Sequence, residues 1–529
     1  MVLAAILLLA FISISQLVIT LVNFLSTLIV KPRLLARMDF SEGIPSEFKT
    51  LVIIPSMLTN SEEIDELVEA LEVRYLANQD PNLQFGLLTD FTDANSEVLP
   101  RDQKMLEQVR RGIDELNVKY GYSESEMFFL FHRPRRWNKD EKIWMGYERK
   151  RGKLAELNAI LRGNGYDRFS FIIGKTDTLL DIKYVITLDA DTQLPRGAAW
   201  KLIASMAHPL NRAFYNEKKQ RVTQGYGILQ PRVAVSLPDI TASNFAKLHG
   251  NEPGIDPYTR ASSDVYQDLF FEGSFIGKGI YDVDIFEKAL GGKFPENRIL
   301  SHDLIEGCYT RSGLISDVQL FEKYPSSYRA DVKRRTRWIR GDWQIAAYFT
   351  PFIPNQNHKW KTNTLSALSR WKIFDNIRRS LVPIALTVFM LVAWVVLKHP
   401  FFWTLVISGI IVFPIVISSV WQLFKRQKDI VFTQHIILFS LNASGVLVQI
   451  VFSLICLPYE AFYTFLAIVR TTWRMVVSHK KLLEWNPSAI EERTNPAGLV
   501  ASFISMWFEP VLALVTMWYL FENSPNRIA

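Results

Sequence analysis

Cysteine is nearly absent: the 529 residues hold two, Cys308 and Cys456. Two are too few for a disulfide framework or an all-cysteine metal site. Nothing beside either suggests a thiol nucleophile, so both are expected as buried apolar residues. Glycine and proline are also sparse, at 25 and 24, which rules out a collagen-like or low-complexity chain. A strong excess of one charge is missing as well. Against 53 Asp and Glu stand 60 Lys and Arg, a formal +7 that is modest for this length, so placement says more than the sum. Apolar residues, by contrast, are plentiful: 49% hydrophobic and 13% aromatic, which excludes disorder. The 21% of charged residues excludes a wholly intramembrane protein. A soluble domain joined to membrane segments remains.

Residues 1–30 carry no charge, and about 30 residues of helix reach roughly 45 Å, enough for a bilayer core. They lack a basic start and a small-residue cleavage site, so a transmembrane anchor is expected rather than a removed signal peptide. Lys31, Arg33 and Arg37 come next, which by the positive-inside rule places residues 31–379 in the cytoplasm as one large soluble domain. Apolar runs resume at 381–397 and 401–424, separated by Lys398, His399 and Pro400 and flanked by Arg378, Arg379, Lys425, Arg426 and Lys428. A transmembrane hairpin over 380–424 is expected. Over 425–496, Arg470 and Arg474 at i, i+4 before His479, Lys480 and Lys481 suggest amphipathic helices in the interface, with a second hairpin as the alternative. A last span is expected over 497–522.

The soluble region alternates strand and helix. LVIIP at 51–55 reads as a strand bounded by Pro55, and Asn60 with Glu63 three residues later marks a helix start. LQFGLLTD at 83–90, a helix with apolar residues at 105, 106, 109, 113 and 116, MFFLF at 127–131, KLAELNAIL and YVITLD at 184–189 continue the pattern. This predicts an α/β domain on a Rossmann-like, mostly parallel but mixed sheet. Its ligand crevice should lie at the carboxyl ends of the strands, where two runs end in Asp90 and Asp189.

Five segments carry the candidate chemistry. Asp189 and Asp191 flank the small Ala190 at a strand end, where both can approach one Mg²⁺ or Mn²⁺ together with phosphate oxygens; an acidic loop is the plainer alternative. Asp90 can accept from a nucleobase or ribose, while Asp93 fits a turn cap equally well. ERKRGKLAELN at 148–158 places four cations, among them Lys153, at a helix start able to hold phosphate, or forms a solvated basic face. RILSHDLIEG at 298–307 and VKRRTRWIRGDWQ at 332–344 complete the set. In the latter Arg334, Arg337 and Arg340 can neutralise a leaving diphosphate, and Trp338 and Trp343 can stack on sugar rings. A nucleic-acid patch would also combine basic and aromatic residues, but a membrane tether argues against nucleic acid as a partner.

Taken in order, Pro55, Asp90, Gly152-Lys153 with Asn158, Asp189-x-Asp191, EGSFIGKGIYD at 272–282, His302-Asp303 and Arg337-Trp338 resemble a family 2-type inverting glycosyltransferase with a GT-A fold. Where such synthases usually carry Thr-Glu-Asp and Gln-x-x-Arg-Trp, this chain has Ser301-His302-Asp303 and Arg334-Arg335-Thr336-Arg337-Trp338. Those departures, with WMGYERKRGK at 144–153 and LPYEAF…IVRTTWR…LLEW over 457–485, resemble glycosyltransferase family 84, the catalytic module of cyclic β-1,2-glucan synthases. The resemblance implies a multi-pass protein of the bacterial inner membrane with a cytoplasmic catalytic domain. It implies UDP-glucose as donor and a growing β-1,2-linked glucan as product, with Asp303 as catalytic base and Arg337 and Trp338 completing the catalytic set. Asp90, Lys153, Asp189, Arg334, Arg340 and Trp343 would bind substrate, and Asp189 and Asp191 the metal. Replacement of Gln by Arg334 removes the acceptor contact usual at that position. Family members also carry a phosphorylase-like module that sets ring size. That module, or a glucan exporter, is an expected partner besides the lipid bilayer. Another processive β-glycan synthase and a non-catalytic nucleotide-sugar sensor are the alternatives.

Overall fold

The computed structural model describes residues 2–121, 126–250, 259–260, 263–354, 359–424, 431–485 and 503–523. Eight strands form the main sheet: β1 (Thr50–Leu58), β2 (Leu83–Phe91), β3 (Phe128–Arg133), β4 (Phe171–Ile173), β5 (Tyr184–Thr187), β6 (Ile228–Val235), β7 (Gly279–Asp282) and β8 (Ser312–Glu322), in the order β8-β6-β7-β5-β1-β2-β3-β4. The β5-β1-β2-β3 centre is parallel, while β7 runs antiparallel between β5 and β6, so the sheet is mixed. Its β2 is buried at every position, as expected of a central strand covered on both faces. One face packs on α2 (Ser61–Ala77), α3 (Asp102–Tyr120) and α5 (Ala198–Ala207). The other packs on α4 (Arg149–Ile160), α6 (Asp303–Thr310) and the start of α8 (Ala367–Val395). This is the architecture of a GT-A-like domain.

Local signals explain these elements. Asn60 caps α2 by accepting from Glu63 N at 3.0 Å. Along α3 the stripe Met105, Val109, Ile113 and Leu116 is buried. Pro55 does not end β1, which pairs with β2 through Leu58↔Phe91. The ladder to β5 stops at Ile53, whose carbonyl accepts from Leu188 N at 3.1 Å. Pro55 faces the same side two residues later, where no partner waits for the N–H it lacks. Cys308 and Cys456 are both buried.

Among the described residues four helices are long and apolar enough to cross a membrane: α1 (Val2–Ile29), α8, α9 (Pro400–Phe424) over Pro400–Trp421, and α10 (Phe432–Trp473) with its continuation, over Ala443–Ser478. Leu9 and Ile12 of α1, Leu386 and Phe389 of α8, Ile407 of α9 and Leu457 of α10 share one apolar cluster. The backbone over Phe432–Trp473 is one long helix that ends in a π-turn at Arg474–Ser478, in the region where interfacial amphipathic helices or a second hairpin are expected. Residues 425–430 and 486–502 lie outside the described residues, and α11 (Phe508–Asn523) covers the later part of the last expected span.

Candidate active site

The carboxyl ends of the parallel strands β1, β2 and β5 lie along one edge of the sheet, where ligands of open α/β sheets bind. Asp189 follows β5, and Gly279 of β7 pairs with Thr187, which sets Lys278 one residue beyond the same sheet edge. Arg74 of α2 shapes the loop after β5 by donating to Ala190 O at 2.7 Å and to Thr192 O at 3.0 Å. Gln193 N then bonds Phe321 O at 2.8 Å, and Thr192 Oγ1 donates to Glu322 Oε1 at 2.9 Å. The end of β8 is thereby brought to the Asp-x-Asp loop. Asp189, Asp191 and Glu322 each offer an oxygen within 4.8 Å of the others.

Two lysines balance these carboxylates. Asp189 Oδ1 lies 2.5 Å from Lys150 Nζ, and Asp189 Oδ2 lies 3.1 Å from Lys278 Nζ, which also reaches Glu322 at 2.5 Å. Although burial opposes its ionisation, Lys150 and Lys278 hold the Asp189 carboxyl well below the usual carboxylate range. Asp191 has no such lysine. The protein packed around it, with Glu322 and Asp189, pushes its carboxyl up to about 6. Three clustered acids, Asp191 among them without a lysine in direct contact, form an all-oxygen donor set that fits Mg²⁺ or Mn²⁺.

Asp303 is the first residue of α6, its side chain 27% exposed. Gly277 has φ +89°, and a side chain there would come within 2.8 Å of Asp303 Oδ1. Asp303 is thus laid against the turn that carries Lys278, and its charge is felt by Lys150. Behind it the buried His302 sets Nδ1 2.8 Å from Glu306. Burial disfavours the imidazolium, but Glu306 and Asp303 outweigh it and hold His302 above its ordinary pKa. Glu306 is therefore committed to His302. From the other side α7 (Tyr328–Gln344) supports this segment: Gln344 Oε1 accepts from Leu300 N at 2.9 Å, and Gly341 lets Ser301 approach closely.

The remaining predicted residues divide into two groups. Asp90, fully buried, lies 2.9 Å from Arg133 Nη2 and 2.7 Å from Lys153 Nζ. Burial draws Lys153 down to about 8 against the pull of Asp90. Both are thus joined in an internal network that Arg133 extends to Glu156 at 2.8 Å. On α7, Arg334 bonds Asp331 at 2.7 Å and stacks on Tyr324 and on Trp338, which is itself exposed. Arg337 is half-buried, one turn before Gly341 on the same face. Arg340 donates to Glu484 O at 2.5 Å, and Trp343 gives its indole N–H to Ser380 of α8 at 2.9 Å. Asp93, the alternative turn cap, bonds Arg149 at 2.6 Å.

Sequence reasoning did not single out Glu322, Lys278, Lys150 or Arg133. Lys278 stands inside the Gly-rich segment at 272–282 and Lys150 inside the basic one at 148–158, so the signal was present for both. Glu322 is one acid in a strand far along the chain, and only the sheet order brings it to Asp191.

His132, beside Arg133, gives a separate pH test of this buried edge. It is fully buried, bonds Thr89 Oγ1 at 2.8 Å, and burial lowers its pKa to about 4. The unfolded chain takes up that proton near pH 6.5 and the fold does not, so stability falls with acidification across that interval. The expected loss is about 3 kcal/mol. It is read as a falling thermal midpoint between about pH 6.5 and 4, which His132→Gln flattens.

No protein-family model matches the chain. Over 501 residues, 94% of the chain, its sequence is 40% identical to the cyclic beta-(1,2)-glucan synthase NdvB of Rhizobium meliloti (strain 1021). The chain spans 17% of the length of that curated relative.

Proposed function

We propose that this chain is an inverting glycosyltransferase of the family 84 type that polymerises glucose from UDP-glucose into a β-1,2-linked glucan, as the synthase part of cyclic β-glucan formation. The observation that carries the reading is the 40% identity to a glucan synthase over 94% of the chain. Its support is the grouping of Asp189, Asp191 and Glu322, with Asp303 laid against the Gly277 turn whose carbonyl accepts from Lys150, the partner of Asp189.

In this reading Asp303 accepts the proton of the acceptor hydroxyl. The freed oxygen bonds the anomeric carbon as the carbon–oxygen bond to the diphosphate breaks, so an α-linked donor becomes a β-glycoside and UDP departs. Asp189, Asp191 and Glu322 would hold Mg²⁺ or Mn²⁺, which supplies charge neutralisation at the leaving group. Arg337 adds positive charge there, and Trp338 offers an exposed ring to the sugar. His302, locked to Glu306, keeps the start of α6 in place.

The apolar helices make this a membrane protein. The cations at 31–37, 378–379 and 479–481 support a place in the bacterial inner membrane with the catalytic domain in the cytoplasm, where UDP-sugars are. A phosphorylase-like module or an exporter would then act on the product. Inverted membrane vesicles carrying the chain should release UDP from UDP-glucose and lose residues 31–379 to added protease, whereas intact spheroplasts should do neither. Protection in vesicles with digestion in spheroplasts would overturn the orientation, and absence of UDP release from vesicles would overturn the reaction.

A further inference from the structure

Asp189 spends both of its oxygens on lysines that arrive from different elements. Lys150 comes from the first turn of α4, and Lys278 from the turn between Gly277, with φ +89°, and Gly279, with φ +149°. The two carriers are joined, since Lys150 Nζ also donates to Gly277 O at 2.8 Å. Lys278 bridges Asp189 and Glu322, two of the three acids able to share a cation. Each ammonium thus sits on oxygens that a divalent cation would need.

The charges set the order of events. Asp189, Asp191, Glu322 and the nearby Asp303 against Lys150, Lys278 and Arg74 leave one net negative charge, attractive to a dication and repulsive to a diphosphate. Adding a dication turns the sum to one positive. The carboxylate oxygens are then taken, and both lysines, compact charges on flexible four-carbon stems, are released beside the site where a diphosphate lies.

We propose that Lys278, seconded by Lys150, is an exchangeable counter-cation of the donor site: it holds Asp189 and Glu322 until a divalent cation takes them, and then binds the diphosphate of the nucleotide sugar. This rests on the donor-site reading above. It makes binding ordered, with the cation first and the nucleotide second, and makes Lys278 a ligand of the substrate rather than a brace for the loop.

Calorimetry on the purified full chain separates these roles, because the exchange predicts changes of opposite sign. Titrated with MnCl₂ alone, Lys278→Met should bind Mn²⁺ about tenfold more tightly than wild type, its competitor being gone. Titrated with UDP at saturating Mn²⁺, the same variant should bind about tenfold more weakly; each change is about 1.4 kcal/mol. Lys150→Met should move both affinities in the same directions, and Lys278→Arg, which keeps the charge, should leave Mn²⁺ affinity near wild type. Weaker Mn²⁺ binding in Lys278→Met and Lys150→Met would make the lysines structural parts of the acid cluster and overturn the exchange. Unchanged UDP affinity in both would overturn diphosphate binding. Wild-type protein that bound neither Mn²⁺ nor UDP would instead refute the donor-site reading itself.

Discussion

Replacing Asp303 by Asn should lower the rate of glucan formation by about 10²–10⁴-fold while leaving UDP-glucose affinity close to wild type. Asn is nearly isosteric and keeps the contact with the Gly277 turn, but it cannot take the proton of the attacking hydroxyl. A base acts on the acceptor and not on the donor, so the loss belongs in kcat, at about 3–5.5 kcal/mol of barrier. The measurement pairs UDP-glucose binding by calorimetry with initial rates of labelled glucan formation. A variant within tenfold of wild type would move the base elsewhere. Glu306 is a poor replacement, being buried with its carboxylate 2.8 Å from His302 Nδ1.

Asp191→Ala should do something different: abolish transfer and weaken metal-dependent UDP binding together. Asp191 is the member of the acid cluster with no lysine in direct contact, and its carboxyl, pushed up to about 6 by its surroundings, Glu322 and Asp189 against the pull of Lys278, is the one whose charge a dication most relieves. Its removal leaves Asp189 and Glu322 still bridged by Lys278, with no excess charge to draw the cation in. Two variants in one crevice thus separate proton transfer from donor binding, one losing rate alone and the other rate and affinity together. Unchanged turnover in Asp191→Ala would remove Asp-x-Asp from the mechanism.

The strands near Asp90 and Asp189 were readable because each is a short, buried apolar run beside an acid, although β2 runs one residue past Asp90 and β5 stops two residues before Asp189. α2 was readable because Asn60 is a strong cap, and α3 because its apolar spacing is helical. The end of β1 was not, because Pro55 stops a strand only where its missing N–H would be used, and the length of β5 decides that. Asp189, Asp191 and Asp303 were singled out by their motifs; the fold sets Asp189 and Asp191 beside Glu322 and lays Asp303 against the Gly277 turn. Glu322 and Lys278 were not, because side chains from β8 and the β7 turn meet Asp189 only through the order of strands in the sheet. Asp90 and Lys153 illustrate the reverse: each was singled out separately for ligand binding, and the fold joins them to each other. For α10, charged and aromatic residues near its end suggested interfacial amphipathic helices or a second hairpin, whereas the backbone over Phe432–Trp473 is one helix. Arg474, just beyond it, lies 3.0 Å from Glu484 and donates to Lys481 O.

Transfer of glucose from UDP-glucose in this crevice, with inversion to a β-1,2 linkage, has its sharpest test in NMR of the polymer that the purified chain forms from ¹³C-labelled UDP-glucose and Mg²⁺. Inverting transfer to O2 should give β-anomeric signals with substitution at that position and one UDP released per glucose incorporated. An α-anomeric product, or a β-glucan linked through another hydroxyl, would contradict it.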